Sequence, residues 1–176
     1  MEPFLKQILI NHNDEHFHGI IIRPATVCGY SPRMRLDVAV NMLTMQALTN
    51  QKITVLGGDQ TRPNIHIEDI TDVYMHFLND PTITGIYNAG FENISIIDIA
   101  NIIASEIDTE IIIKESNDPR SYRVNSDKLL ATGFKPKKTV EHAVQEIIEG
   151  YRSGVLKDED QFYNLKWMQK TGVVGE

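Results

Sequence analysis

The stretch Gly19-Ile20-Ile21-Ile22-Arg23-Pro24 contains three consecutive isoleucines and ends at a proline. A short apolar run without alternation is typical of a strand buried on both faces of a parallel sheet. Working outward, we predict further short strands at Ile53-Thr54-Val55-Leu56, at residues 85–90 and at Ile111-Ile112-Ile113. These runs favour an α/β fold built around short parallel strands.

Helices are predicted between these strands, because apolar residues recur there at helical spacing over residues 35–50, 69–78, 96–107 and 140–151. We expect Ser95, Ser126 and Thr139 to cap helices, the one after Ser126 being short and ending at Gly133. The pattern begins on a helix, in which Phe4, Leu5, Ile8 and Leu9 share one face. A division into residues 1–156 and a polar, partly helical tail over residues 157–176 follows from this pattern.

The composition describes an ordinary globular chain of 176 residues, with 41% hydrophobic and 23% charged residues. The net charge is −7 and the basic residues are not clustered, so we expect neither a nucleic-acid partner nor a membrane partner. No apolar run is long enough for a membrane span and the start lacks a secretory pattern. The single Cys28 cannot form an internal disulfide, and we expect a cytoplasmic location.

Self-sufficient catalytic chemistry is not evident in the sequence. None of the 11 glycines follows a phosphate-binding pattern, and Gly57-Gly58 is predicted to be a structural turn. None of the six tyrosines has a lysine four residues later. His12, His16 and His18 lie close together, but we interpret that segment as a solvated connection and predict no metal site.

Three motifs, read together, identify a family. They are Arg23-Pro24-Ala25-Thr26-Val27-Cys28-Gly29-Tyr30-Ser31-Pro32, then Arg62-Pro63-Asn64-Ile65-His66-Ile67-Glu68-Asp69, then Asp118-Pro119-Arg120-Ser121-Tyr122-Arg123 continuing to Pro136. Their order and spacing resemble the NAD-dependent epimerase/dehydratase family of nucleotide-sugar enzymes, the extended short-chain dehydrogenases. The resemblance covers residues 1–151.

This resemblance implies the rear part of a Rossmann-type parallel sheet, interleaved with the small α/β substrate-binding domain. Family members are about twice as long and carry a glycine-rich NAD loop and a Tyr-x-x-x-Lys pair upstream of the matching region. Neither motif occurs in these 176 residues. We therefore expect no catalytic residue here and no tight NAD binding by this chain alone, although NAD serves the parent family.

The residues carried over by the resemblance are binding residues. Pro24 and Ala25 match backbone that lies beside the nicotinamide in the family, and Thr26 stands where an asparagine often touches the sugar. Arg62 matches an arginine that holds the nucleotide diphosphate, a role that suits a guanidinium.

Arg120 is a second candidate for the same anion. Asp37 falls near a position where relatives often hold asparagine against the diphosphate, and a carboxylate there would repel it.

Each of these candidates has a structural alternative. Arg62 could be solvated on a polar loop, Arg120 could form a surface ion pair, and Asp37 could cap a helix or form a salt bridge. We interpret His66 and Asp69 as structural residues that join a strand to a helix. Cys28 is expected to pack as a small hydrophobic residue, and Tyr122 to lie in a core or an interface.

Three hypotheses for the function remain open. The chain is the substrate-binding half of a nucleotide-sugar epimerase or dehydratase and binds a nucleotide-diphosphate sugar. Alternatively, it is one subunit of a split enzyme whose Rossmann half is a separate chain, or a non-catalytic interaction module. We also expect a homo-oligomer.

Overall fold

The computed structural model describes residues 6, 8, 9, 11–14, 16–116 and 120–173. Ile8 and Leu9 are helical, whereas Pro3, Phe4 and Leu5 of the first predicted helix lie outside the described residues. The helices are α1 (Ala39–Asn50), α2 (Ile67–Asn79), α3 (Ile96–Glu106), α4 (Asp127–Leu130), α5 (Val140–Arg152) and α6 (Asn164–Lys170). The strands are β1 (Ile20–Pro24), β2 (Thr26–Cys28), β3 (Lys52–Leu56), β4 (Thr61–His66), β5 (Gly85–Ala89), β6 (Glu92–Ser95) and β7 (Glu110–Lys114).

Most strand pairs are parallel, which confirms the predicted α/β class. β1 pairs with β5, β3 with β7 and β2 with β4, all in parallel, and β6 joins β4 in the antiparallel direction. Among the described residues these strands form a two-stranded, a three-stranded and a second two-stranded sheet. In sequence the chain runs from β1 into β2 with only Ala25 between them, so one short segment serves two sheets.

Two core clusters hold the sheets to the helices. The first lies between β3 and three helices, α1, α3 and α5, and includes Val40, Leu43, Ile53, Val55, Ile99, Ile103, Val144 and Ile148. The second lies between β4, β5 and α2 and includes Ile65, Val73, Phe77, Tyr87, Leu129 and Phe134. The expected burial of the apolar runs on both faces is not found in the described strands: β1 is at most partly buried, and β3 alternates buried Ile53 and Val55 with an exposed Leu56.

The helix caps were predicted correctly in two cases and wrongly in one. Ser95 Oγ accepts a hydrogen bond from Asp98 N at 3.1 Å, and Thr139 forms a reciprocal capping box with His142. Ser126 Oγ makes no cap bond to α4 and instead bonds the backbone N–H and C=O of Gly90, at 3.0 and 2.8 Å. A hydroxyl can satisfy either partner, and sequence spacing does not show that Gly90 is nearby.

Two boundaries also differ from the prediction. The helix predicted over residues 35–50 begins only at Ala39, because Leu36 N donates to Phe162 O at 2.8 Å and so belongs to a tertiary contact. The segment predicted as a polar loop before Ile65 is strand β4, which pairs with β2 on one side and β6 on the other.

The tail over residues 157–173 is partly ordered against the rest of the chain. It contains a single 3-10 turn at Asp160–Phe162 and helix α6, and Phe162 is buried. The domain division at residue 157 stays a prediction. In the part of the chain that the structure describes, no helix has the length and apolarity to cross a bilayer.

Candidate functional site: a cleft lined by arginines

A cleft of about 540 Å³ opens beside the end of β1. Its walls come from Pro24 and Ala25, from β2, from the loop over residues 29–38 and from Tyr122 and Val124. Pro63 and Ile67 also line the cleft, so three segments distant in sequence meet there, and each of them overlaps one of the motifs that carried the family resemblance.

The charge of the cleft is opposite to that of the chain. Among the described residues that line it, Arg33 and Arg35 are the two charged ones, and none of them is a carboxylate. The chain as a whole carries a net charge of −7. A cleft that presents guanidinium groups within an acidic protein favours an anionic ligand.

Arg35 is held in place by its neighbours. Its Nε donates to Asp37 Oδ1 at 2.8 Å, and its backbone carbonyl accepts from Asn41 Nδ2 at 2.9 Å. This hydrogen bond raises the pKa of Arg35. Burial opposes ionisation of Asp37, but the Arg35 contact outweighs it, and the pKa of Asp37 lies below its usual value. Asp37 therefore makes a salt bridge, one of the two structural alternatives to a substrate contact.

Asn41 fixes the loop itself. Its Oδ1 accepts from Gly29 N at 3.1 Å, and Gly29 has a φ of 103°. A side chain at that position would be strained at this φ, and its Cβ would lie 2.8 Å from His66 Nε2. The loop can turn away from β2 at this point because residue 29 is glycine.

The floor of the cleft contains the residues predicted to lie near cofactor and sugar. Pro24, Ala25 and Thr26 all line it, and Ala25 N donates to Ala89 O at 2.7 Å. A Cβ on Gly90 would lie 2.6 Å from Ala25 Cβ, so the backbone beyond β5 approaches Ala25 closely only because residue 90 is glycine. The binding roles of Pro24, Ala25 and Thr26 stay predictions.

Arg62 and Arg120 lie together at the border of the cleft. Arg62 donates to the Arg120 carbonyl oxygen and, at 3.2 Å, to the Thr61 carbonyl oxygen. Its guanidinium also stands 5.7 Å from the ring centre of Tyr122, a cation–π distance. The structure thus brings Arg62 and the Arg120 backbone together, while their contact with an anion stays a prediction.

Sequence reasoning missed Arg33 and Arg35, and it left Tyr122 open between a core and an interface. Tyr122 is 51% exposed and lines the cleft, so it is not a core residue of this chain. The available signal was the pair of arginines around Met34 in a loop between a strand and a helix. A loop in that position is where α/β proteins commonly place ligand contacts.

The neighbouring polar cluster is structural. His66 Nδ1 accepts from Glu68 N at 3.1 Å as the cap of α2, and its Nε2 lies 3.0 Å from Glu146 Oε2. These three residues have the spacing of a metal site, but the Lys138 ammonium lies 3.0 Å from Glu146 and 3.4 Å from Glu68. A salt-bridge network therefore accounts for the cluster.

Asp69 also has a structural role, as expected. Its two carboxylate oxygens accept from the backbone N–H groups of Lys137 and Lys138, at 2.9 and 3.1 Å. Cys28 is buried, its Sγ lies 3.5 Å from Ile65 O, and burial raises the pKa of its thiol to about 12. Packing as a small apolar residue is confirmed for Cys28.

The glycine pair at Gly57-Gly58 forms a turn. Gly58 N donates to Gln60 Oε1 at 2.7 Å, and both glycines have positive φ values of 78° and 121°. An amide that already has a side-chain acceptor does not need a phosphate, so the turn assignment agrees with the prediction.

Comparisons with known proteins agree with this geometry. Residues 4–90 match the model of the NAD dependent epimerase/dehydratase family. The fold matches UDP-N-acetylglucosamine 4-epimerase from Bacillus cereus with a TM-score of 0.72 and 18% identity, covering 91% of this chain and 53% of that one. It matches ADP-L-glycero-D-manno-heptose-6-epimerase from Helicobacter pylori with a TM-score of 0.72 and 16% identity, covering 85% and 49%.

A third match is UDP-glucuronic acid 4-epimerase from Bacillus cereus, solved in complex with UDP-glucuronic acid and NAD. The TM-score is 0.65, the identity is 24%, and the match covers 84% of this chain and 49% of that one. Over residues 4–90, about half of its length, this chain belongs to the NAD-dependent epimerase/dehydratase family. It spans about half the length of the solved structures that it matches.

The described residues do not complete a site for NAD, the cofactor of the family. Pro24 and Ala25 could form one rim for the nicotinamide. At the glycine pair, the Gly58 N–H that a phosphate would need already donates to Gln60 Oε1.

Proposed function

We propose that this chain is the substrate-binding half of a nucleotide-sugar epimerase or dehydratase. The observation that carries the proposal is the cleft, to which the described residues of an acidic chain contribute two arginines and no carboxylate. Guanidinium groups bind the diphosphate of a nucleotide sugar by charge-assisted, bidentate hydrogen bonds. The sugar lies toward Pro24, Ala25 and Thr26, and Arg62 strengthens the field from the border of the cleft.

The parent reaction begins with oxidation of the sugar at C4 by NAD, and this chain does not carry it out alone. The sequence holds neither a glycine-rich dinucleotide loop nor a Tyr-x-x-x-Lys pair. Its residues bind and orient the substrate, while the hydride acceptor and the general base belong to the other half of the fold.

Calorimetric titration of the chain with UDP-glucose, UDP-N-acetylglucosamine and dTDP-glucose tests the proposal. We expect at least one nucleotide sugar to bind and NAD not to bind tightly. Arg33→Met should weaken binding, and Arg152→Met, an exposed substitution at the end of α5, should not. Tight NAD binding, or no binding of any of the three sugars, would contradict the proposal.

A second observation favours a Rossmann half that docks against β1, on the same polypeptide or as a separate chain. In the described part of the chain β1 pairs only with β5, and two parallel strands rarely persist alone. Next to β1 lies an apolar groove formed by Ile20, Ile22, Tyr74, Phe77, Leu78 and Pro81. Leu78 is 75% exposed there, as expected for a side chain that a partner covers.

Co-expression with the polypeptide encoded upstream tests this docking. Leu78→Asp should abolish co-purification and restored NAD binding, whereas Met75→Asp, an exposed residue of α2 outside the groove, should preserve both. Equal behaviour of the two variants would count against the groove. Light scattering after size exclusion tests the expected homo-oligomer separately.

A further inference from the structure

The segment over residues 156–164, here called the tail strap, lies against the loop that carries Arg35. Leu36 N donates to Phe162 O at 2.8 Å, and Asn164 N donates to Asp37 Oδ2 at 3.2 Å. Two hydrogen bonds, from the last residue of the strap's turn and from Asn164 just after it, therefore join the strap to residues 36 and 37.

Apolar packing fixes the same contact. Met34 and Leu36 share a buried cluster with Leu156 and Phe162, and all four are at most 8% exposed. Arg35 stands between Met34 and Leu36 in sequence. Because both neighbours are buried against the strap, the backbone of Arg35 has little freedom, and its side chain lines the cleft.

Asp37 connects the strap to the guanidinium. One carboxylate oxygen accepts from Asn164 N and the other accepts from Arg35 Nε at 2.8 Å. Within the described residues, the two terminal nitrogens of Arg35 have no hydrogen-bond partner. They are the groups that a bidentate oxyanion contact requires.

We propose that Asp37 and the tail strap are positioning elements that hold Arg35 toward the cleft, so that the affinity of the cleft for a diphosphate depends on residues 156–164. The inference rests on the proposed function, since it concerns the same ligand. Asp37 acts through Arg35 and does not touch the ligand. The strap couples the far end of the chain to substrate binding.

A positioning role for Asp37 and a purely electrostatic role predict opposite changes in diphosphate affinity when the carboxylate is removed. If Asp37 only added negative charge near the cleft, Asp37→Asn would strengthen binding of a diphosphate. If Asp37 positions Arg35, the same substitution weakens binding, because Arg35 must then be immobilised by the ligand itself.

The experiment measures the affinity of the 176-residue chain for UDP, ADP and dTDP, with the matching nucleosides as uncharged controls. Arg35→Met should weaken diphosphate binding about tenfold, the size expected for one lost hydrogen bond to a charged group. Asp37→Asn and Phe162→Ala should each weaken it about threefold. Trp167→Ala, an aromatic truncation in the same tail at an exposed position of α6, should leave it unchanged.

A double-mutant cycle separates positioning from general damage to the loop. In the Arg35→Met background, Asp37→Asn should have no further effect on affinity, because the residue through which it acts is gone. Thermal unfolding of each variant shows whether the fold persists.

Three kinds of result would overturn the inference. These are diphosphate binding that is stronger or unchanged in Asp37→Asn or unchanged in Phe162→Ala, full additivity of the Arg35→Met and Asp37→Asn effects, or unchanged affinity of Arg35→Met in a chain that binds UDP. The last result leaves the proposed function intact, because wild-type binding persists. If the wild-type chain binds none of the three diphosphates, the proposed function fails and this inference fails with it.

Discussion

Removing the Asp69 carboxylate should destabilise the fold more than any substitution at the neighbouring surface. Asp69 is 1% exposed and lies in the first turn of α2, where its oxygens accept from Lys137 N and Lys138 N. These bonds attach α2 to the segment that leads into α5. Asp69→Ala leaves two backbone donors without acceptors, at about 1.5–3 kcal/mol for each hydrogen bond to a charged group.

Relief of the buried charge offsets part of that loss, so we expect the free energy of unfolding to fall by about 3 kcal/mol. Asp69→Asn keeps one good acceptor and turns an amide NH₂ toward the second donor, which should cost about half as much. Urea unfolding followed by far-ultraviolet circular dichroism measures the free energy of unfolding of both variants. The dependence of that free energy on urea concentration should be the same in wild type and variants.

Asp72→Ala is the matched control on the same helix. Among the described residues its carboxylate meets the exposed Lys137 ammonium, at 2.7 Å, and such a surface pair contributes little, so the unfolding midpoint should hardly move. A loss below about 0.5 kcal/mol for Asp69→Ala, or equal losses for the two alanine variants, would refute the reasoning that buried backbone donors at this junction need the carboxylate.

Three other predictions concern buried or capping groups. Burial raises the pKa of the Cys28 thiol to about 12, so the thiol should not react with a disulfide reagent near pH 8 until urea unfolds the chain. Rapid reaction of the folded chain would contradict the buried position of Cys28. Burial opposes ionisation of Glu146, but the hydrogen bond from Lys138 outweighs it, and the pKa of Glu146 lies below its ordinary value of 4.5. The stabilising effect of the Glu146 carboxylate is therefore complete above pH 4.5 and is lost as the pH falls through its folded-state pKa. Glu146→Gln should lower the melting temperature at pH 7 and have a smaller effect near pH 3. Equal shifts of the melting temperature at both pH values would be inconsistent with this role of Glu146. Thr139→Ala removes the capping box of α5 and should cost about 1 kcal/mol in urea unfolding, whereas Thr139→Ser should cost little.

Local signals in the sequence were sufficient for the elements whose hydrogen bonds are local. The helix after Ser95 and the helix after Thr139 begin where their caps predict, since cap and helix lie within four residues. The strands at Ile20–Pro24 and Lys52–Leu56 were found because each contains a short apolar run, although β1 is at most partly buried and β3 alternates buried and less buried residues.

Elements whose partners lie far along the chain were missed. The first half of β4 is Thr61-Arg62-Pro63, which has no strand pattern, and it is held in the sheet by β2 and β6. Ser126 looks like a cap in the sequence, but Gly90, 36 residues earlier, is its partner. Such pairings are properties of the tertiary fold, and single-sequence patterns do not contain them.

In the candidate site, too, the residues within a sequence motif were predicted and those that depend on tertiary contacts were missed. Motif order located Pro24, Ala25 and Thr26, and all three line the cleft. It did not locate Arg33 or Arg35, because their relevance arises only when the loop is turned by Gly29 and held by Asn41.

The role of charge in this chain is decided by pairing at close range. From sequence, a carboxylate at Asp37 is expected to repel a diphosphate, and the chain as a whole carries a net charge of −7. In the structure the Asp37 carboxylate is satisfied by Arg35 and by the Asn164 amide, both within hydrogen-bond distance. At physiological ionic strength, charges more than about 8 Å away are largely screened, so the acidic surface elsewhere contributes little to the potential in the cleft. The groups that a bound anion would meet are Arg33, the terminal nitrogens of Arg35 and, at the border, Arg62. An acidic protein can therefore hold an anion-binding cleft when its nearest carboxylate serves to orient an arginine.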